Sequence, residues 1–198
     1  MQIIIYDTEF TAWPGSSQRG WSEDWEFKEI IQFSAHLISI TQNKINTTKI
    51  LNLYIKPRIN TQLSHYITEL TNIKQQDIDT GINSEQLFEK LKSFSKDGSI
   101  PFFSWGNDLH VLKETAHLNQ LDINWLKSYD LRPIFQDFNL SKNISSGVLY
   151  QHFNLNLNLH EHNAEHDTIS LVESLKHIQQ NHLVELEELF HQELTLSS

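Results

Sequence analysis

Apolar and polar positions along the chain change their spacing several times, and each spacing predicts an element. Ile3-Ile4-Ile5-Tyr6 is a continuous apolar run, so residues 2–6 read as a short first strand. Residues 29–40 and 49–55 read as second and third strands, the latter ended by Lys56-Pro57, with Asn43-Lys44 a weak hairpin signal between them. A helical turn over 65–70 follows. A helix led by Ser84 as N-cap then places Leu87, Phe88, Leu91 and Phe94 at helical spacing, and Asp97-Gly98 ends it. Residues 100–104 form the next strand, and Gly106-Asn107 turns the chain into a helix carrying Leu109, Leu112 and Ala116. Residues 125–129 read as a fifth strand, with a short helix after Pro133 and another over 146–153 that turns Val148, Leu149 and Phe153 inward. Asn and Leu alternate over 154–159, which fits either a strand or a loop folded onto the core. Residues 164–180 repeat apolar positions as a helix does, and 183–194 form an acidic amphipathic segment. Three strands followed by strands alternating with helices predict an α/β domain with a mixed five-stranded sheet flanked by helices. No linker or repeat interrupts it, so we read 1–180 as one domain and 181–198 as its helical C-terminal extension.

Composition narrows the function classes. The chain has 198 residues, enough for a sizeable core, with 38% hydrophobic positions. It has no cysteine, which excludes a disulfide framework, a thiol nucleophile and a Cys-based zinc site. No apolar run approaches the ~20 residues that span a bilayer, and no basic region precedes the first apolar run, so a cytoplasmic protein without a membrane partner is expected. The net charge of −10 lacks the basic footprint of a protein that grips long polyanions, and suits short substrates or brief contact with one end.

Candidate chemistry begins at Asp7-Thr8-Glu9, just past the first apolar run. Strand alternation puts Asp7 and Glu9 on one face and Thr8 on the other. Paired carboxylates on a buried strand repel unless a cation compensates them, and oxygen-only ligands suit Mg²⁺ or Mn²⁺ rather than zinc. Asp108 follows the strand-like run ending at Ser104. His162 and Asp167 open the long helix near the C-terminal end. Four carboxylates and one histidine at strand ends and helix starts make a two-metal hydrolytic centre plausible. Taken singly, Asp7 and Glu9 could be a solvated edge, Asp108 a helix N-cap and Asp167 a surface acid. His160, His162 and His166 do not match the His-Glu-x-x-His zinc pattern, because Ala164 stands where the second histidine would fall. Trp13, Trp21 and Trp25 stand in an otherwise polar loop over 13–28, either capping the core or lining a groove where bases stack.

These residues in this order resemble the DEDDh 3′–5′ exonucleases of the ribonuclease-H-like superfamily. Asp7-x-Glu9 looks like the first motif, Asp108 the second, and His162 with Asp167 five residues later the third. Glu29-Ile30-Ile31-Gln32-Phe33, Lys56-Pro57, Leu70-Thr71-Asn72-Ile73 and the Ser-Trp-Gly-Asn-Asp run around Asp108 resemble the histone-mRNA exonuclease and KapD-like branch. The resemblance covers residues 2–176. Phe10, Asn163 and the long 13–28 loop depart from that branch.

What the resemblance implies is a metal-dependent 3′–5′ exonuclease acting on the 3′ end of single-stranded RNA or DNA. Asp7, Glu9, Asp108 and Asp167 would hold two Mg²⁺ or Mn²⁺ ions, and His162 would be the general base. Phe10 and Trp13 would stack or wedge the terminal base, and backbone at Phe10 and Thr11 would approach the terminal sugar. Glu29 would lie near the site in a supporting role, or pair with Lys28. Two other readings are a non-catalytic nucleic-acid- or partner-binding module of the same fold and an oligonucleotide-clearing phosphodiesterase. The sequence leaves oligomeric state open.

Overall fold

A computed structural model describes residues 1–41, 44–138, 140, 143–181 and 186–196. The first strand, β1, runs Gln2–Phe10, longer than its apolar run predicts. The polar half is held because β2 (Ile30–Thr41) pairs antiparallel with it throughout, setting Asp7 opposite Ser34 and Glu9 opposite Gln32. A register shift between Glu9 and Phe10 ends the regular ladder at the site's edge. The third strand, β3 (Lys44–Tyr54), also starts earlier than its apolar part, because it pairs with β2 along its whole length. Asn43 of the expected hairpin lies outside the described residues. A short α1 (Ser16–Arg19) lies in the loop between β1 and β2, and after helices α2 (His65–Thr71), α3 (Gln75–Asp79) and α4 (Ser84–Phe94) come β4 (Phe102–Ser104), α5 (Asp108–Leu118) and β5 (Ser128–Asp130). The sheet order is β3-β2-β1-β4-β5, antiparallel over β3-β2-β1 and parallel over β1-β4-β5.

Two apolar layers sandwich the sheet. Ile3 and Ile5 project onto α7 (Ala164–Asn181), where Leu171, Val172 and Leu175 meet them. Ile4 and Tyr6 project onto α4 and α5, through Leu87, Leu91 and Leu112. The last helix, α8 (Leu186–Leu196), joins the first layer by burying Leu186 and Phe190. The start of that segment, at 183–185, lies outside the described residues.

Local details differ from the pattern in four places, and at a fifth, residues 154–159, the loop reading holds. Asn83, not Ser84, caps α4: its side chain accepts from the Gln86 N–H while the Gln86 side chain accepts from the Asn83 N–H. The fifth strand is shifted to Ser128–Asp130, in register with β4. The helix expected over 146–153 is a 3₁₀ turn, Ser146–Val148, followed by a short α6, Leu149–His152, and the helix after Pro133 is 3₁₀, Arg132–Phe138. Residues 154–159 form neither helix nor strand, starting from a left-handed Asn154 at φ 54°; each leucine is half-buried and each asparagine exposed, so the alternation reports a surface run over the core.

Candidate active site

The two-residue repeat of β1 builds the site. Asp7 and Glu9 continue the row of Ile3 and Ile5 toward α7, and Asp167, in the first turn of α7, comes down on them. Ligand atoms of Asp7, Glu9 and Asp167 all lie within 4.8 Å of one another, and all three residues are buried. Thr8 continues the opposite row, toward α5. Its hydroxyl donates to Oδ1 of Asp108, the first residue of α5, at 2.5 Å. Asp108 therefore stands beside the trio without belonging to it.

Burial raises the proton affinity of all four acids. Desolvation is the leading cause at Asp7 and Glu9, whose carboxyls are held well above the usual range, and the neighbouring acids add to it. Asp108 is pushed up to about 6 and Asp167 to about 7, again chiefly by desolvation. At both, hydrogen bonds oppose the rise: from Thr8 at Asp108 and from Ser146 at Asp167.

Two residues that sequence reasoning missed complete the floor. Ser146 Oγ lies 3.2 Å from Asp7 Oδ1 and 3.2 Å from Asp167 Oδ2. One hydroxyl proton serves two acid oxygens, as expected where like charges are crowded. Gly147 follows, and a Cβ there would stand 2.5 Å from Asp167 Oδ1. That same oxygen is buried and makes no hydrogen bond. An orphaned carboxylate oxygen, a glycine cradle around it and an all-carboxylate donor set fit a hard divalent cation. No histidine belongs to a metal-competent cluster among the described residues.

The acids floor a cavity of about 320 Å³ walled by Phe10, Trp13, Trp21, Tyr66 and Trp105, with His162 at its side. His162 adopts φ 61°, a left-handed conformation that costs a non-glycine residue roughly 1–2 kcal/mol. The polar loop folds over a buried acid. Ser16 Oγ donates to Glu26 Oε1 at 2.7 Å, and Arg19 pairs with the same oxygen. Trp13 meets Trp25 edge-on at 4.9 Å between ring centres, and Trp21 lies 5.6 Å from Phe10. Trp25 is exposed and does not reach the cavity.

Thr11 does not line the cavity. Its hydroxyl donates to the Phe27 carbonyl at 2.5 Å, its N–H donates to the Glu29 carbonyl, and its own carbonyl accepts from Trp21 Nε1. Its polar groups are committed to holding the aromatic wall. Glu29 is buried behind that wall and pairs with the backbone N–H groups of Arg58, Ile59 and Asn60, whereas Lys28 pairs with Glu114. Of the wall residues, Trp21 is one of the three loop tryptophans that the sequence offers for capping the core or lining a groove, Trp105 stands in the Ser-Trp-Gly-Asn-Asp run without a role of its own, and Tyr66 carries no signal in the sequence.

A profile of the Exonuclease (RNase T) family matches residues 4–193. The chain belongs to that family. Among curated members, it is 36% identical over 80 residues to the 3′–5′ exonuclease Snipper of Drosophila melanogaster, covering 40% of this chain and 26% of that one. It is 26% identical over 120 residues to the probable 3′–5′ exonuclease KapD of Bacillus subtilis, covering 60% and 55%. The chain thus matches little more than half the length of KapD and about a quarter of Snipper. Its fold is that of the nuclease domain of 3′hExo, a DEDDh family member solved with bound rAMP: TM-score 0.76, 18% identity, 91% of this chain and 92% of that one. E. coli exonuclease I, solved with single-stranded DNA, shares it at TM-score 0.68 and 14% identity over 96% of this chain and 43% of that one. Among the described residues of this family member, no helix is long and apolar enough to cross a membrane.

Proposed function

We propose that the chain is a metal-dependent 3′–5′ exonuclease that shortens single-stranded RNA or DNA from the 3′ end and releases nucleoside 5′-monophosphates. One observation carries this reading: a buried carboxylate trio, with Asp167 Oδ1 left unpartnered, floors an aromatic-walled cavity. Asp7, Glu9 and Asp167 would hold Mg²⁺ or Mn²⁺, and Asp108 would serve a second ion beside Asp7. Two such ions, when bound, polarise the scissile phosphate and stabilise the attacking and leaving oxygens.

The chain's own groups do the rest. His162 takes a proton from the attacking water, a task suited to an imidazole because its charge changes nearest neutral pH. The water oxygen bonds to phosphorus, the bond to the 3′ oxygen of the preceding nucleotide breaks, and that oxygen takes a proton from solvent. Phe10 and Trp13 stack the terminal base, and Trp21 backs Phe10. Thr11 fixes this wall from behind. The names of Snipper and KapD, and the rAMP and single-stranded DNA bound by the two solved relatives, support the same reading. An oligonucleotide-clearing role is favoured over degradation of long strands by the net charge of −10.

The test uses 5′-labelled RNA and DNA oligonucleotides of several lengths with Mn²⁺, beside Asp7→Ala. A ladder receding from the 3′ end, absent in the variant and with chelator, is expected, with the shortest substrates turned over best. Folded protein that binds the oligonucleotides without shortening them would replace the enzyme with a binding module.

A further inference from the structure

His162 lies in a connection, residues 155–163, that contains neither helix nor strand, and its φ of 61° is one that side-chain-bearing residues rarely adopt. Such a conformation persists only where its surroundings over-determine it. On the C-terminal side, Asn163 Oδ1 accepts from the N–H groups of Glu165 and His166 at 3.2 and 3.3 Å and so caps α7. On the N-terminal side the restraint is a chain of polar side chains. The backbone N–H of His160 donates to Nδ1 of His166 at 2.8 Å. The His160 ring places Nδ1 2.6 Å from the Glu161 carbonyl and Nε2 2.7 Å from Nδ2 of Asn72. A carbonyl can only accept and an amide nitrogen can only donate. The His160 ring therefore carries its proton on Nδ1 and accepts at Nε2, and His166 accepts at Nδ1. Asn72 is anchored in turn: it closes α2 in a left-handed conformation, with its N–H on the Thr68 carbonyl.

The end of α2 is thus tied through His160 to the first turn of α7, and His162 sits in the bend between the two ties. Neither His160 nor His166 lines the active-site cavity. We infer that Asn72, His160 and His166 are positioning residues that brace the loop of His162 and aim its imidazole at the carboxylate floor. This rests on the reading of His162 as general base. His166 is the most informative member because its contribution is a single acceptor atom, which the Oδ1 of an asparagine reproduces.

Three variants test the brace: His166→Leu, which removes the acceptor, His166→Asn, which restores it, and His162→Ala. Removing the acceptor is expected to lower kcat by roughly 10- to 100-fold, because a misplaced catalytic group costs about that much. The oligonucleotide KM and the calorimetric Mn²⁺ affinity are expected to stay within about twofold. His166→Asn should recover most of kcat, and His166→Leu added to His162→Ala should cost nothing further. The His162 ring resonance in a ¹H–¹³C spectrum is expected to move in His166→Leu and to return in His166→Asn. An unmoved ring resonance overturns the brace, as does a lost Mn²⁺ affinity or a loss additive to that of His162→Ala. Full activity in His162→Ala would instead defeat the general-base reading, and the ring resonance would still decide whether the brace exists.

Discussion

Thr8 is the chain neighbour of Asp7 but belongs to the opposite face of β1, and its hydroxyl donates to Asp108 Oδ1 at 2.5 Å. One strand thereby presents two acids on one face and secures a third from behind, although that third acid begins a helix a hundred residues on. Burial pushes Asp108 up to about 6, and the Thr8 hydrogen bond opposes that rise. Thr8→Val keeps the shape and deletes the donor. A hydrogen bond to a charged group is worth about 1.5–3 kcal/mol, so divalent affinity should fall by roughly tenfold or more. Mn²⁺ titration calorimetry on the variant is the check; unchanged affinity would mean Asp108 needs no tether.

Gly147 should tolerate no side chain. A Cβ would meet Asp167 Oδ1 at 2.5 Å and Glu161 Cγ at 3.0 Å. Gly147→Ala is expected to displace Asp167, to destabilise the fold by about 1–3 kcal/mol as overpacking does, and to abolish measurable Mn²⁺ binding. Urea unfolding with and without Mn²⁺ separates the two effects, and a variant that still gains stability from the ion would show that Asp167 had kept its place.

The crowded acids make metal-free stability depend on pH. Asp167 is raised to about 7 and Asp108 to about 6, with burial the first cause at both. A group whose pKa is raised on folding stabilises the fold fully below its unfolded pKa and loses that contribution as pH climbs through the folded value. For Asp167 the window runs from the ordinary value of 3.8 to about 7. Asp167→Asn cannot ionise, so its melting temperature should rise relative to the parent as pH climbs from about 4 to about 7, at about 2–4 °C per kcal/mol. Mn²⁺ competes with the same protons and should stabilise the parent more at the upper end of that range. Parallel melting curves for parent and variant, measured by scanning fluorimetry in chelator, would refute the linkage.

Glu29 holds a loop instead of a ligand. Its buried carboxylate accepts from Arg58 N at 2.6 Å, Ile59 N at 2.9 Å and Asn60 N at 2.7 Å, while its own N–H donates to Thr11 Oγ1. Glu29→Ala strands three backbone donors and should cost roughly 2–4 kcal/mol in denaturant unfolding. Its Mn²⁺ affinity should match the parent's, whereas a loss of affinity at full stability would give Glu29 the supporting role at the site that the resemblance implies.

The sequence by itself determined what depends on local repeat. Alternation along β1 put Asp7 and Glu9 on one face and Thr8 on the other, and helical spacing marked the faces that α4, α5 and α7 bury. The order of the acids along the chain already resembles that of the exonuclease family to which it belongs. Tertiary structure decided everything that depends on convergence. Ser146 reaches Asp7 across 139 residues, and Gly147 matters only because α7 lowers Asp167 onto it. Thr11, whose backbone the family resemblance would bring near the terminal sugar, has its polar groups claimed by the Phe27 and Glu29 carbonyls and the Trp21 indole, which only packing could show. Residues 154–159 alternate like a strand yet find no partner strand, since pairing requires a neighbour that the sheet order does not supply there. Periodicity is a property of adjacent residues and can be read in one dimension. Hydrogen bonding and desolvation between distant segments exist only once those segments are packed together.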